Sequence, residues 1–265
     1  MKWILQEILN NYSNVMKVEN SLKNLGIEYI LVNLNGSDLK VINKDLRIEE
    51  PNSQKIFEEF ISEGNVFCYG GKAIINLSKK YNLKPGCFYS EELSFEYLKN
   101  NLEQELLNND FIVGKLKDLS IHGESAFIRP VENSKLFTGL VVKREDLKKW
   151  QERENHSNSP FLNEELMLTS VKKVCQEFRF FVYKKEVVTY SSYSSEGVYN
   201  DGLKPTKELL DYADEIINKY ELPLAYVLDI AIAEGSFKIV ELNCINTSGL
   251  YSADVYALIK KLSFS

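Results

Sequence analysis

Tyr226-Val-Leu-Asp229-Ile-Ala-Ile-Ala-Glu-Gly-Ser-Phe-Lys-Ile-Val-Glu241-Leu-Asn243 decides how this chain is read. Two apolar runs flank Glu234-Gly235-Ser236, so the stretch predicts two strands joined by a tight turn. A three-residue loop closing on Ala233 and Phe237 sets Asp229 opposite Glu241. Opposed residues of an antiparallel pair share a face, and Asn243, two residues beyond Glu241, shares it too. Two carboxylates at cross-strand distance repel unless positive charge lies between them. Carboxylate and amide oxygens suit Mg2+, which takes its remaining ligands from water and phosphate. The stretch therefore predicts a metal–nucleotide site at Asp229, Glu241 and Asn243. Acids that merely face water at a strand end are the alternative.

Working outward, 265 residues can form one large domain or two smaller ones. At 44% hydrophobic and 26% charged residues, the chain can build a globular core without disulfide or metal staples. A net charge of -6 gives no general reason to expect nucleic-acid binding. Cys68, Cys87, Cys175 and Cys244 show no C-x-x-C spacing, and His122 and His156 are the only imidazoles, which argues against zinc. Free thiols in a reducing cytoplasm are expected. The opening Met1-Lys-Trp-Ile-Leu-Gln-Glu-Ile-Leu carries a glutamate inside its short apolar run, unlike a signal peptide. No apolar run approaches the ~20 residues of a membrane span.

Before Phe111, strands are expected at Tyr29–Leu34 and Asn65–Tyr69, with helices at Gln54–Ser62 and Phe95–Leu107. Gly70-Gly71 marks a turn into a helix beginning at Lys72. It resembles a phosphate cradle but lacks the full glycine pattern, so a structural turn is preferred. From Phe111 the texture turns to hairpins: Phe111–Asp118, Ser125–Pro130 and Lys135–Val142. A helix from about Glu145 leads to a polar connection, Glu152–Pro160. Further strands are expected at Leu166–Ser170, Glu177–Tyr183 and Val187–Tyr193, with a turn at Lys184-Lys185. Helices follow at Lys207–Lys219 and Ala253–Leu262.

Cations stand upstream of the acidic hairpin. Arg129 ends an apolar strand, Lys135 follows it, and Lys115 and Lys117 sit on the preceding strand. Arginine offers a planar fork to phosphate oxygens and lysine a point charge; solvated surface charge is the alternative. Glu177 and Arg179 share one strand face. They could pair with each other or serve a ribose and a phosphate, and their spacing leaves both open.

In this order the segments resemble the ATP-grasp superfamily, in particular a phage- and mobile-element-associated branch. The resemblance rests on Phe127-Ile-Arg129-Pro130 with Lys135-Leu-Phe137-Thr-Gly139, and on Glu177-Phe-Arg179-Phe-Phe-Val with Val187-Val-Thr-Tyr-Ser191-Ser-Tyr193. It rests also on Asp229, Ile239-Val-Glu241-Leu-Asn243 and Ser248-Gly249-Leu250-Tyr251. It covers residues 111–255, more than half of the chain.

The resemblance implies an α+β chain in which two ATP-grasp lobes follow a smaller αβ domain. The implied bounds are 1–110 for that domain, 111–173 for the first lobe and hinge, and 174–265 for the second lobe. It implies an ATP- and Mg2+-dependent ligase joining a carboxylate to an amine, or to a thiol, through an acyl phosphate. Lys115 or Lys117 and Arg129 would contact phosphates, Arg129 standing where many members carry lysine. Lys135 and Gly139 would belong to the loop covering the phosphates, here reduced to Glu132-Asn-Ser-Lys135-Leu-Phe-Thr-Gly139. Met167, Leu168, Thr169, Ser170 and Val171 would form the hinge against adenine. Glu177 and Arg179 would line the nucleotide, Arg129 and Arg179 would act in catalysis, and Asp229, Glu241 and Asn243 would hold Mg2+. The partners would be a small-molecule, peptide or protein carboxylate and a nucleophilic acceptor, met partly by the Ser191–Asn200 loop. A nucleotide-binding sensor and an ATP-dependent phosphotransferase are the rival functions.

Overall fold

The computed structural model describes residues 1–7, 12–36, 38–131, 137, 139–157, 159–195 and 202–265, without the side chains of 160 and 193–195. The chain opens with β1 (Lys2–Gln6), α1 (Tyr12–Asn24), β2 (Tyr29–Asn35), β3 (Asp38–Ile42), α2 (Ser53–Ser62), β4 (Val66–Tyr69), α3 (Lys72–Lys80), β5 (Pro85–Gly86) and α4 (Phe95–Leu102). The five strands form one sheet in the order β3-β2-β1-β4-β5. β1 runs parallel to β2 and β4, and β3 returns antiparallel to β2. Alternation sorts its side chains. Trp3, Leu5, Leu31 and Phe67 pack with α1, and Ile4, Val32, Val66 and Cys68 with α2 and α3.

Next come β6 (Ile112–Lys115), β7 (Ser125–Pro130), β8 (Leu140–Lys143), α5 (Arg144–His156) and β9 (Glu165–Thr169). They form a sheet in the order β6-β9-β7-β8. Ala126, Ile128, Leu166 and Leu168 bury one face against Leu147 of α5. The chain ends with β10 (Val174–Tyr183), β11 (Glu186–Ser195), α6 (Lys207–Lys219), β12 (Ala225–Ala233), β13 (Ser236–Asn243) and α7 (Val255–Phe264), the strands ordered β11-β10-β12-β13. Thr206 caps α6 by accepting from the Leu209 N–H. Leu209, Ala213, Ile216 and Ile217 then recur at helical spacing and are buried against Phe178, Phe180 and Leu228.

These cores interleave. Leu98 and Leu102 of α4 pack into the third sheet's core. Leu258 and Leu262 of α7 pack beside Trp3 and Leu22 in the first.

Several expected boundaries move, each for a local reason. The helix expected to reach Leu107 stops at Leu102, because Leu106 bridges to Ile239 and the Leu107 N–H bonds its carbonyl. The strand expected to reach Asp118 stops at Lys115. Fully buried Leu116 draws the chain into a 3-10 turn over Leu116–Asp118, so Lys117 leaves the strand. The polar connection at Glu152–Pro160 is helical as far as His156, where Ser157 ends the helix, and a 3-10 turn capped by Ser159 starts at Pro160. β8 begins only at Leu140, and β11 runs past the expected Tyr193 to Ser195, within the expected Ser191–Asn200 loop. The rest of that loop, 196–200, lies outside the described residues.

Asn246 fastens the first sheet to the loop after β13. It has no exposed surface. Its Nδ2 donates to the carbonyls of Cys68 (2.5 Å) and Gly86 (3.1 Å), and its Oδ1 accepts from the Phe88 N–H at 2.8 Å. Asn246→Ala strands three buried backbone groups. It should lower unfolding free energy by about 3 kcal/mol in urea titrations with an unchanged m-value. A loss under about 0.5 kcal/mol would remove this fastening role.

Candidate functional site

The hairpin of β12 and β13 closes differently from expectation and reaches the same pairing. Ala233 pairs with Ser236, so the turn has two residues, Glu234 and Gly235, both at positive φ (51° and 78°). This is the backbone of a tight hairpin turn whose twist suits the strands. From that closure alone Asp229 would face Val240. A bulge shifts the register between Asp229 and Ile230, so Ile230 pairs with Ile239 and Asp229 with Glu241.

The positive charge that two opposed acids require comes from two arginines. Arg179 on β10 is the cross-strand neighbour of Asp229. Its Nε donates to Oδ1 at 2.8 Å and its Nη2 to Oδ2 at 2.7 Å. The pair is buried, Asp229 completely. Nη1 donates to the Gly249 carbonyl at 3.2 Å, and the Tyr251 ring lies 5.2 Å from the guanidinium carbon. Tyr251 takes a left-handed backbone (φ 46°). Arg179 therefore pairs with Asp229, a partner its spacing from Glu177 did not suggest. Burial raises the Asp229 carboxyl above its ordinary range and Glu241 raises it further, against the pull of Arg179.

The second arginine crosses between sheets. Arg129 on β7 donates from Nη1 to Glu241 Oε2 at 3.1 Å. Asn243 donates from Nδ2 to Asp229 Oδ2 (3.2 Å) and Glu241 Oε1 (2.8 Å). Arg129, Arg179, Asp229, Glu241 and Asn243 thus form one connected cluster. The Nε of Arg129 is buried and has no hydrogen-bond partner among the described residues, a donor placed for an absent acceptor.

Register decides which cations share the sheet face of Arg129. Val113 and Arg129 both pair with Met167, and Phe127 pairs with Val141 and Thr169. These residues lie on the sheet face opposite the α5 core. Lys115, two residues beyond Val113, shares that face; Lys117, in its 3-10 turn, does not follow the strand. Met167 and Thr169 are buried there, while Leu168 packs into the opposite core and Val171 is exposed. Glu177 lies on β10, two residues before Arg179. Lys135 lies outside the described residues. At Gly139 an added Cβ would come within 2.2 Å of the Phe127 ring, so glycine lets the chain cross that ring.

Asp110 is a residue that sequence reasoning missed. It accepts from the Thr169 hydroxyl (3.1 Å), the Ser170 N–H (3.2 Å) and Lys172 (3.0 Å), tying the link between β9 and β10. Burial would raise its carboxyl, but bonds from Ser170, Lys172 and Thr169 prevail and hold it at about 2. The one signal was its place beside the texture change at Phe111. Gly70-Gly71 is a structural turn: Gly70 donates to the Asn246 carbonyl (2.9 Å) and Gly71 to Gln6 Oε1 (3.0 Å). A Cβ at Gly70 would lie 2.4 Å from Gln6 Cβ.

Two carboxylates and an amide in mutual reach offer the oxygen donors that Mg2+ takes. No group of three or more His, Cys, Asp and Glu stands together among the described residues, so the protein would supply only part of the ion's shell. Among the described residues no helix is long and apolar enough to cross a membrane. A surface groove of about 890 Å3 beside β11, lined by Thr189, Tyr190, Leu210 and Asp214, is not lined by the clustered residues.

Residues 107–260 match the family model of the ATP-grasp domain, R2K clade family 2. No curated protein matches in sequence. Similar solved structures include a RimK domain ATP-grasp protein from Sphaerobacter thermophilus, with 10% identity, all of both chains covered and a TM-score of 0.65. A D-alanine–D-alanine ligase from Bacillus anthracis has 11% identity and a TM-score of 0.57, covering 94% of this chain and 86% of its own. The macrocyclase MdnC from Microcystis aeruginosa, bound with precursor peptide MdnA, has 9% identity, full coverage of both chains and a TM-score of 0.55.

Two outcomes test this geometry. Arg179→Met leaves a buried acid unpaired and should cost about 3–5 kcal/mol in urea unfolding, most of it recovered in Arg179→Met/Asp229→Leu. A double variant as unstable as the sum of the single variants would refute the coupling between the two residues. Asp110 is depressed below its unfolded value of about 3.9, so its stabilisation is present above that pH and lost as pH falls through about 2. The thermal-midpoint gap between wild type and Asp110→Asn should therefore close between about pH 5 and 2. A gap constant over that interval would exclude the linkage.

Proposed function

The chain belongs to the ATP-grasp domains of R2K clade family 2, and from this we propose that it is an ATP-dependent ligase joining a carboxylate to an amine, with a thiol as the less favoured acceptor. The observation that carries the reading is Arg129. Its buried Nε has no hydrogen-bond partner among the described residues, and its Nη1 meets Glu241 of another sheet. A phosphate oxygen is the acceptor such a guanidinium suits. Lys115, on the same sheet face, would add a point charge, and Lys117 and Lys135 are further candidates. The backbone from Met167 to Val171 would meet the adenine, with Asp110 holding that segment in place. Glu177 would face the ribose.

In the proposed reaction a substrate carboxylate oxygen attacks the γ-phosphorus and the bond to the β–γ bridging oxygen breaks, leaving ADP and an acyl phosphate. The amine attacks the acyl carbon, phosphate leaves, and the nitrogen gives up a proton. Such transfer requires alignment and charge neutralisation more than a protein nucleophile. Mg2+, when bound, would neutralise charge on the phosphate oxygens. Glu241 and Asn243 would hold it, with Asp229 behind them fixing Arg179. Arg129 and Arg179 would offset charge that builds as the oxygens separate.

The three-part division at 110 and 173, membership of the phage-associated branch and a cytoplasmic setting belong to the same proposal. The acceptor and its carboxylate partner are placed as a small molecule or a peptide. A sensor that binds ATP without turnover is the second reading. It is favoured by the cluster's own neutrality, with each acid already paired to an arginine.

Millimolar Mg2+ and ATP should raise the thermal midpoint, by the equivalent of about 2.7 kcal/mol at a hundredfold excess over Kd, and less in Glu241→Gln. Screening amino acids and peptides for ADP release together with product mass should find turnover that needs both carboxylate and amine. Absence of any thermal shift would sink ligase and sensor together. A shift without turnover would favour the sensor, and a stable phosphorylated product a phosphotransferase.

A further inference from the structure

The four charges of the cluster cancel in two pairs of unlike character. Arg179 and Asp229 are buried and joined by two parallel bonds between neighbouring strands of one sheet. Arg129 and Glu241 are joined by one 3.1 Å contact between different sheets, with 19% and 28% of their side chains exposed. The first pair is built to persist. The second, single-bonded and partly wet, is built to open.

We propose that the Arg129–Glu241 contact is a latch that metal and nucleotide open only together. This rests on reading Arg129 as a phosphate ligand and Glu241 as a metal ligand. A cation arriving alone at Glu241 must displace Arg129, and the freed guanidinium then faces another positive charge. ATP arriving alone must draw Arg129 away, and the exposed Glu241 carboxylate then faces the phosphates. When both arrive, Arg129 turns to phosphate and Glu241 to the cation, and neither charge is stranded. Asn243 follows the same logic. Its Nδ2 donates to both acids, and turning the amide over presents its oxygen without changing its shape. Arg179 keeps Asp229 neutralised throughout, so the exchange of charged partners is confined to the Arg129–Glu241 pair. The site then takes metal and nucleotide with positive coupling, and each partner of the latch suppresses binding of the other's ligand alone.

The last statement gives a test with crossed signs. Free Mn2+, followed by its spin-resonance signal, should bind Arg129→Gln at least about fivefold tighter than wild type in the absence of nucleotide, a coupling of ordinary size. ATP in the presence of a chelator should bind Glu241→Gln at least about fivefold tighter than wild type by calorimetry. In wild type, Mn2+ and ATP should raise each other's affinity by one common factor, which falls in Arg129→Gln. Arg129→Lys keeps a charge beside Glu241 and should stay near wild type for Mn2+ alone. If either variant fails to fold, the other arm decides. A wild type that binds ATP with Mn2+, with variants that bind the single ligands no tighter, overturns the latch and leaves the nucleotide reading standing. A wild type that binds no ATP even with Mn2+ overturns both.

Discussion

The bidentate bond between Arg179 and Asp229 is the constraint on which the arrangement of the cluster depends. A buried ion pair is weak evidence for stability, because desolvation offsets attraction. Its value here is geometric. The two residues are cross-strand neighbours on β10 and β12, so their bond holds only in this register. Once Arg179 is fixed, its remaining contacts with the Gly249 carbonyl and the Tyr251 ring position the loop after β13. That same loop carries Asn246, which reaches into the first sheet at Cys68 and Gly86. One side-chain fork thus connects the metal-binding candidates to the docking of the first sheet.

The first sheet takes part in the site as well as in the core. The Tyr69 hydroxyl donates to the Ser248 carbonyl at 2.9 Å, and burial holds that phenol protonated by raising it. Lys17 of α1 reaches the Tyr251 carbonyl. The end of β4 and the middle of α1 therefore brace the loop that stacks on Arg179. α1, β4 and β10 thus each send one side chain to a backbone carbonyl of the loop after β13.

What could be read from the sequence was local. Strand alternation and helical spacing placed α6 to the residue and most strands within a few positions. The opposition of Asp229 and Glu241 was also foreseen, but through a three-residue loop; the structure reaches it through a two-residue turn plus a bulge at Val240. Either route shifts the register by the same single residue, which is why a wrong loop gave the right pair. A bulge answers to packing across the sheet, and no turn sequence announces it. The partners of the acids were beyond reach for a related reason. Arg179 sits two residues from Glu177 in sequence but beside Asp229 in space, and Arg129 meets Glu241 across 112 positions. Similarly, Lys115 and Lys117 look equivalent until buried Leu116 turns the chain between them.

The two acids of the hairpin, alike in sequence, divide the work by their burial. Asp229 has no exposed surface, both its oxygens serve Arg179, and its carboxyl is raised by that burial. To coordinate a cation directly it would have to share oxygens already committed to a guanidinium. Glu241 keeps about a quarter of its side chain open and gives up one bond to Arg129. The same hairpin thus presents one carboxylate as a fixed counter-ion and one that would serve as an exchangeable ligand. In the proposed ligase the first would hold an arginine where charge develops, and the second would trade that role for the cation. Divided this way, a cluster with no net charge of its own would still accept a metal–phosphate complex, because only its outer ion pair would have to exchange partners.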